Sequence, residues 1–219
     1  MAPDDLIRQL DHHDPAERFS AAERLGRVPP TPAVVAALIR ALADPSFHEW
    51  PGDYDAPPFR YAVADAAQRS LEPAAPSAVT ELLAAARRSP LAARHAAHLF
   101  RRCGEAGVAP LVELAHHADP EVRRQVAFAI RPLHATLADG PARKALVRAL
   151  LQALADDSSS VTCVAVDEAE YLVRDNPELY LGALAPPELV AALVDRVRDR
   201  PQAKTFARAL ALVAGPAAP

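Results

Sequence analysis

The 219-residue chain is 51% hydrophobic but only 5% aromatic, so its core has to be built from Ala, Leu and Val, and strand formers are too scarce for a sheet. A formal charge of −4 and two cysteines outside any CxxC or Cys/His cluster argue against a nucleic-acid-coating protein, a disulfide scaffold and a structural zinc site. The acidic N-terminus Met1-Ala2-Pro3-Asp4-Asp5 and the lack of an apolar run near the roughly 20 residues that cross a bilayer predict a cytoplasmic protein.

In chain order, the first feature is a truncated apolar stripe, Leu6-Ile7-Leu10, which returns in full at Val35-Leu38-Ile39-Leu42, Val79-Leu82-Leu83-Ala86, Val108-Leu111-Val112-Ala115, Val147-Leu150-Leu151-Leu154 and Val190-Leu193-Val194-Val197. Each has the i, i+3, i+4, i+7 spacing of one helix face. The starts at 35, 79, 108, 147 and 190 lie 44, 29, 39 and 43 residues apart, lengths typical of helical-hairpin repeats. The predicted fold is all-α: an α-solenoid of about six helical hairpins forming one domain over 1–215, with 216–219 a frayed tail.

After most stripes a polar residue and a proline start a second helix: Asp14-Pro15, Asp44-Pro45, Ser89-Pro90, Asp119-Pro120 and Arg200-Pro201. Asp or Ser accepts amide hydrogens from the first turn, and proline supplies a preset φ where its missing N–H costs nothing. The register is constant, because Leu10 to Arg18, Ala86 to Arg94 and Ala115 to Arg123 are each 8 residues. In the fourth repeat, Val122, Val126, Ala129, Ile130 and Leu133 form the inward side of the second helix.

Two insertions interrupt the array. Leu42 to Arg60 is 18 residues, so a loop spans 46–58 with the only tryptophan, Trp50, beside Phe47 and Tyr54. These rings either grip a partner or fold back over exposed Ala and Leu. Asp53-x-Asp55 is too short for a calcium loop. The segment 175–187 forms a second irregular piece.

Aligned on the Arg position, the next residue in each repeat reads Phe19, Tyr61, His95, Arg124, Cys163, Phe206, and four further on Glu23, Asp65, Leu99, Phe128, Asp167, Leu210. On one face, these columns mix aromatic and acidic groups in the first two repeats and suit a basic or amphipathic peptide, or else they are ordinary packing beside a solvated face. The candidate partner-binding residues are therefore Phe19, Glu23, Trp50, Tyr54, Tyr61 and Asp65.

Charge is uneven: net −6 over 1–86, +4 over 87–134 and −2 over 135–219. Within the basic middle, Arg94, Arg101, Arg102 and Arg124 are the alternative, phosphate-binding candidates, although no aromatics interleave with the arginine pairs to stack bases. His95 and His98 share a helix face, but that helix offers no third ligand, and no metal or cofactor is expected. His12-His13 and His116-His117 end first helices, where positive imidazoles would complement the dipole. Cys103 and Cys163 are expected to be free and buried.

The run Asp119-Pro120-Glu121-Val122-Arg123, followed by a small-residue helix, resembles the HEAT-repeat family, and in particular bacterial HEAT-like repeats of the phycobiliprotein-lyase type. The resemblance implies a right-handed superhelix with first helices outside and second helices lining an inner groove. It also implies a ladder between repeats that would involve Asp14, Arg18, Arg60, Arg94, Asp119 and Arg123, weakening where Thr162 and Thr205 replace the arginine. HEAT-like glycosylases need an aromatic cleft with a carboxylate, and the HEAT di-iron hydroxylases need repeated His-Glu pairs, of which only His48-Glu49 occurs. The sequence thus points to a non-catalytic scaffold for a protein or peptide, with nucleic acid as the lesser alternative.

Overall fold

The computed structural model describes residues 2–50, 59–138 and 140–175, without the side chains of 48–50, 59–61, 170 and 172–175. The sixth repeat, the 175–187 insertion beyond its first residue, Tyr54 and Asp53-x-Asp55 lie outside the described residues. The chain divides into two compact units, 1–110 and 111–219.

In the first unit, α1 (Pro3–Gln9), α3 (Pro32–Ala41) and α5 (Val79–Ala86) are first helices, and α2 (Pro15–Leu25), α4 (Val63–Leu71) and α6 (Pro90–Phe100) are second helices. Hairpin partners α1–α2, α3–α4 and α5–α6 pack together, and consecutive second helices pack side by side, as do consecutive first helices. The division falls within α7 (Val108–Leu114). In the second unit, α8 (Pro120–His134) packs on α9 (Pro141–Leu154) and α10 (Ser159–Asp175), with α8 and α10 the second helices of successive repeats. This is an α-solenoid, with neighbouring hairpins burying each other's apolar stripes.

The start signals work as their chemistry requires. Asp14 accepts the Ala16 amide at 2.9 Å, Thr31 that of Val34 at 3.3 Å, Ser89 that of Ala92 at 3.3 Å and Asp119 that of Glu121 at 2.9 Å, each just ahead of a proline in the first helical turn. Asp44-Pro45 departs from the expectation. Its carboxylate makes the same turn, accepting the Ser46 amide at 2.9 Å, but the chain then enters a strand. The described ends of the insertion pair as an antiparallel ribbon of β1 (Phe47–Trp50) and β2 (Phe59–Ala62), with Phe47 opposite Ala62 and Trp50 opposite Phe59. A two-stranded ribbon needs only backbone pairing and a run such as Phe-Arg-Tyr, so scarce strand formers do not forbid it.

Small side chains set the helix spacing. Ala21, Ala22, Ala66, Ala67, Ala92, Ala93, Ala96 and Ala97 are all buried on second helices of the first unit. At Gly26 the α2 and α4 ends come so close that an added Cβ would lie 2.4 Å from Ser70 Oγ and 2.8 Å from Ser70 Cβ, while Ser70 Oγ donates to the Ala22 carbonyl at 2.8 Å. Only glycine fits there. The stripe residues Leu38, Ile39 and Leu42 of the second repeat and Val147, Leu150, Leu151 and Leu154 of the fifth are buried, as are Val122, Val126, Ala129, Ile130 and Leu133 on α8.

Candidate interaction surface

Two of the register arginines, Arg18 and Arg123, are joints between neighbouring repeats. Arg18 on α2 donates from Nε to Asp44 Oδ2 at 2.7 Å, from Nη2 to Ser46 Oγ at 2.6 Å and from Nη1 to the His12 and His13 carbonyls at 2.6 and 2.9 Å. Arg123 on α8 repeats this: Nε to Asp156 Oδ2 at 2.6 Å, Nη2 to Asp156 Oδ1 at 2.9 Å and Nη1 to the His117 and Ala118 carbonyls at 2.8 and 2.9 Å. The bridge therefore runs from one repeat's arginine to the next repeat's turn aspartate, while Asp14 and Asp119 cap their own helices. Burial acts to raise the Asp44 and Asp156 carboxyls, but hydrogen bonds from Arg18 and Ser46, and from Arg123 and Ser158, outweigh it and hold both below the ordinary aspartate value. Where Thr162 replaces arginine, its hydroxyl donates to the Asp156 and Ser158 carbonyls at 3.0 and 3.1 Å, tying down only its own turn.

Two assignments are corrected here. Arg60 and Tyr61 lie on β2 rather than on the second helix, because α4 starts only at Val63. His12 and His117 accept the Asp14 and Asp119 amides at Nδ1, at 3.2 and 3.0 Å, and so close the turns that follow their helices. His116 Nδ1 lies 2.9 Å from Gln152 Nε2, and His13 packs against His12 with centroids 4.2 Å apart.

The remaining candidates fall on the second-helix face of the first unit. Phe19 is half-buried on α2, and Glu23, one turn later, accepts from Arg69 of α4 at 3.2 Å. Asp65 opens α4, exposed and 3.8 Å from His95 Nδ1 on α6, and the same nitrogen lies 2.8 Å from Gln68 Oε1. Trp50 closes β1, and its side chain is outside the described residues. Sequence reading missed the acceptors Gln68 on α4 and Glu72 just past its end, because both histidine partners come from the adjacent repeat. Glu72 lies 3.7 Å from His98 Nε2 and accepts from Arg102 at 3.1 Å, while Arg101 Nη2 sits 2.6 Å from the same His98 nitrogen. Burial lowers the pKa of both histidines, opposed by Asp65 at His95 and by Glu72 at His98. Among the described residues no group of three or more His, Cys, Asp and Glu is arranged to hold a metal ion.

Of the phosphate-binding candidates, Arg102 holds Glu72, Arg101 contacts His98, and Arg124 grips both Glu121 oxygens, from Nε at 3.0 and 2.9 Å. Arg94 lies partly buried in α6. The cysteines divide: Cys103 is buried, donates to the Leu99 carbonyl at 3.4 Å and has its thiol pushed up to about 11 by burial, whereas Cys163 is exposed, against expectation, because the solvent side of α10 passes through it. No helix among the described residues is long and apolar enough to cross a membrane.

No protein-family model matches this sequence, and no curated protein matches it. Solved structures similar to the chain include a designed armadillo repeat protein in complex with the peptide (KR)4, at 17% identity over 95% of this chain and 97% of that one, with a TM-score of 0.48. Another designed armadillo repeat protein is 18% identical over 96% of this chain and all of that one, with a TM-score of 0.45. An engineered protein is 16% identical over 96% and 98%, with a TM-score of 0.47. The stacked hairpins themselves define the class: a helical-repeat protein.

Proposed function

We propose that the chain is a non-catalytic, HEAT-like scaffold that binds a protein or peptide through the groove of its second helices and the Trp50 ribbon. One observation carries this reading: Glu23–Arg69, Asp65–His95 and Glu72–Arg102 tie side chains of three successive repeats into one continuous polar face. Such a face holds its groups at fixed spacing, which suits a chain laid across the repeats. Phe19 on α2 and Tyr61 and Trp50 on the ribbon would supply apolar anchors, and Asp65 and Glu23 would select the charge of the partner. The carboxylates already held by Arg102 and Arg124 speak against a phosphate backbone as the partner.

The test is affinity capture with wild type, Trp50→Ala, Tyr61→Ala and a Glu23→Arg/Asp65→Arg double variant, each checked for helix content. The expected result is a partner recovered by wild type and lost, at unchanged folding, with the double variant and at least one aromatic variant. Equal recovery by all four proteins overturns the proposal. Capture of nucleic acid that collapses steeply with salt would transfer the function to the arginines.

A further inference from the structure

The second unit carries its own binding face, and its chemistry differs from that of the first. Phe128 on α8 and Tyr171 on α10 are each 40% exposed, an unusual state for rings on two helices that pack side by side. Each ring carries a guanidinium: Arg124 Cζ lies 5.5 Å from the Phe128 centroid and Arg131 Cζ 4.8 Å from that of Tyr171. Both arginines are anchored by carboxylates, Arg124 on Glu121 as described and Arg131 through Nε to Glu168 Oε2 at 2.6 Å. Their charge is therefore already matched.

Among the described residues Asp167 has no cationic partner: it is exposed on α10, and its side chain makes no ion pair or hydrogen bond with them. In the repeat register that sets Thr162 at the position of Arg123, Asp167 occupies the position in α10 that Phe128 holds in α8. It precedes Tyr171 by one turn, a rise of about 6 Å, and an extended chain places residues k and k+2 about 6.6 Å apart. Among the described residues, a carboxylate without a cation thus lies one turn before the exposed ring of Tyr171, near the pitch of alternate residues in a strand, and at the register position of the exposed Phe128 on the adjacent helix. Among the described side chains, Glu121, Asp167 and Glu168 outnumber Arg124 and Arg131, a negative balance that disfavours an acidic or phosphorylated segment.

We propose that this α8–α10 face binds an extended segment of a partner protein carrying a lysine or arginine two residues from a large apolar side chain, with the cation on Asp167 and the apolar group against Tyr171 and Phe128. The inference rests on the reading of second-helix faces as binding faces and assigns a partner chemistry to the second unit.

The probe is a fluorescein-labelled peptide of two Lys-Ser-Leu-Ser units, with Glu-for-Lys and Ser-for-Leu versions as controls, titrated by anisotropy against the full chain. The expected result is saturable binding of the lysine–leucine peptide and binding at least about tenfold weaker for both controls. Asp167→Asn should weaken it about three- to fivefold, the range of one exposed charge pair, and Tyr171→Ala or Phe128→Ala about tenfold, with helix content unchanged. The proposal is overturned if wild type shows no saturable binding, if the glutamate peptide binds equally, or if Asp167→Asn, Tyr171→Ala and Phe128→Ala all bind as wild type. Loss of binding in the Glu23→Arg/Asp65→Arg variant, with those three unaffected, overturns it while leaving the wider groove reading standing.

Discussion

At the scale of single residues, the most consequential side chains are Arg18 and Arg123. Each makes four hydrogen bonds, closing its own repeat's turn through two carbonyls and reaching the next repeat's aspartate. The side chains of Arg123 and Asp156 are only 20% and 9% exposed, so removing one strands the other away from water. Arg123→Met should therefore cost about 2–3 kcal/mol in denaturant unfolding. Arg123→Lys should recover less than half of this, since a point-like ammonium cannot fork onto a carboxylate and reach two carbonyls at once. Equal stability of the Lys variant and wild type would show that charge, not geometry, is what the joint supplies. The arginine was legible in the sequence from its fixed eight-residue spacing; its partner was not, because Asp156 lies 33 residues on and only stacking brings it near.

At the scale of elements, the α4–α6 contact is a polar seam in an otherwise alanine-packed layer. His95 and His98 have pKa values below the ordinary 6.5 because burial disfavours their charged forms. A folded-state pKa below the unfolded one means that the unfolded chain binds more protons in that window, so the seam's contribution is present above about pH 6.5 and is lost as pH falls through the lowered folded values. Asp44 and Asp156, held below 3.8, lose theirs only at much lower pH, and Glu168, raised above 4.5 by burial, works in the opposite sense. Urea midpoints should consequently drop between pH 7.5 and 5.5, and a His95→Gln/His98→Gln variant should show a flatter profile over that range. An unchanged slope would remove these histidines from the seam's energetics. His95 and His98 could be read from the sequence as sharing one helix face, but Gln68, Asp65 and Glu72 opposite them depend on α4 lying alongside α6. The ribbon is the converse case: the extra length between Leu42 and Arg60 marks an insertion, yet pairing across residues distant in sequence decided that it would be β.

At the scale of the whole molecule, a repeat array passes stability mainly between neighbours, so damage should stay near its origin. Gly26→Val, which forces a branched side chain onto Ser70, is expected to raise amide exchange in α1 to α4 far more than in α8 to α10. Hydrogen-exchange mass spectrometry reads this directly, and uniform loss of protection across both units would indicate one cooperative block.

The amino-acid sequence by itself determined that the chain is a stack of helical hairpins, because apolar periodicity, Asp-Pro and Ser-Pro starts and small core residues are local signals, each readable within one turn or one hairpin. It also marked the column that contains Glu23, Asp65, Phe128 and Asp167. Only the tertiary structure decided what each of these meets. Glu23 meets Arg69 and Asp65 meets His95, while Phe128 and Tyr171 stand half-exposed under arginines and Asp167 meets no cation among the described residues. The reason is physical: a helix's own pattern fixes which side faces its neighbours, but the state of a charge or a ring on that side depends on what the next helix sets beside it, a distance of about 10 Å in space and some 30 to 45 residues along the chain.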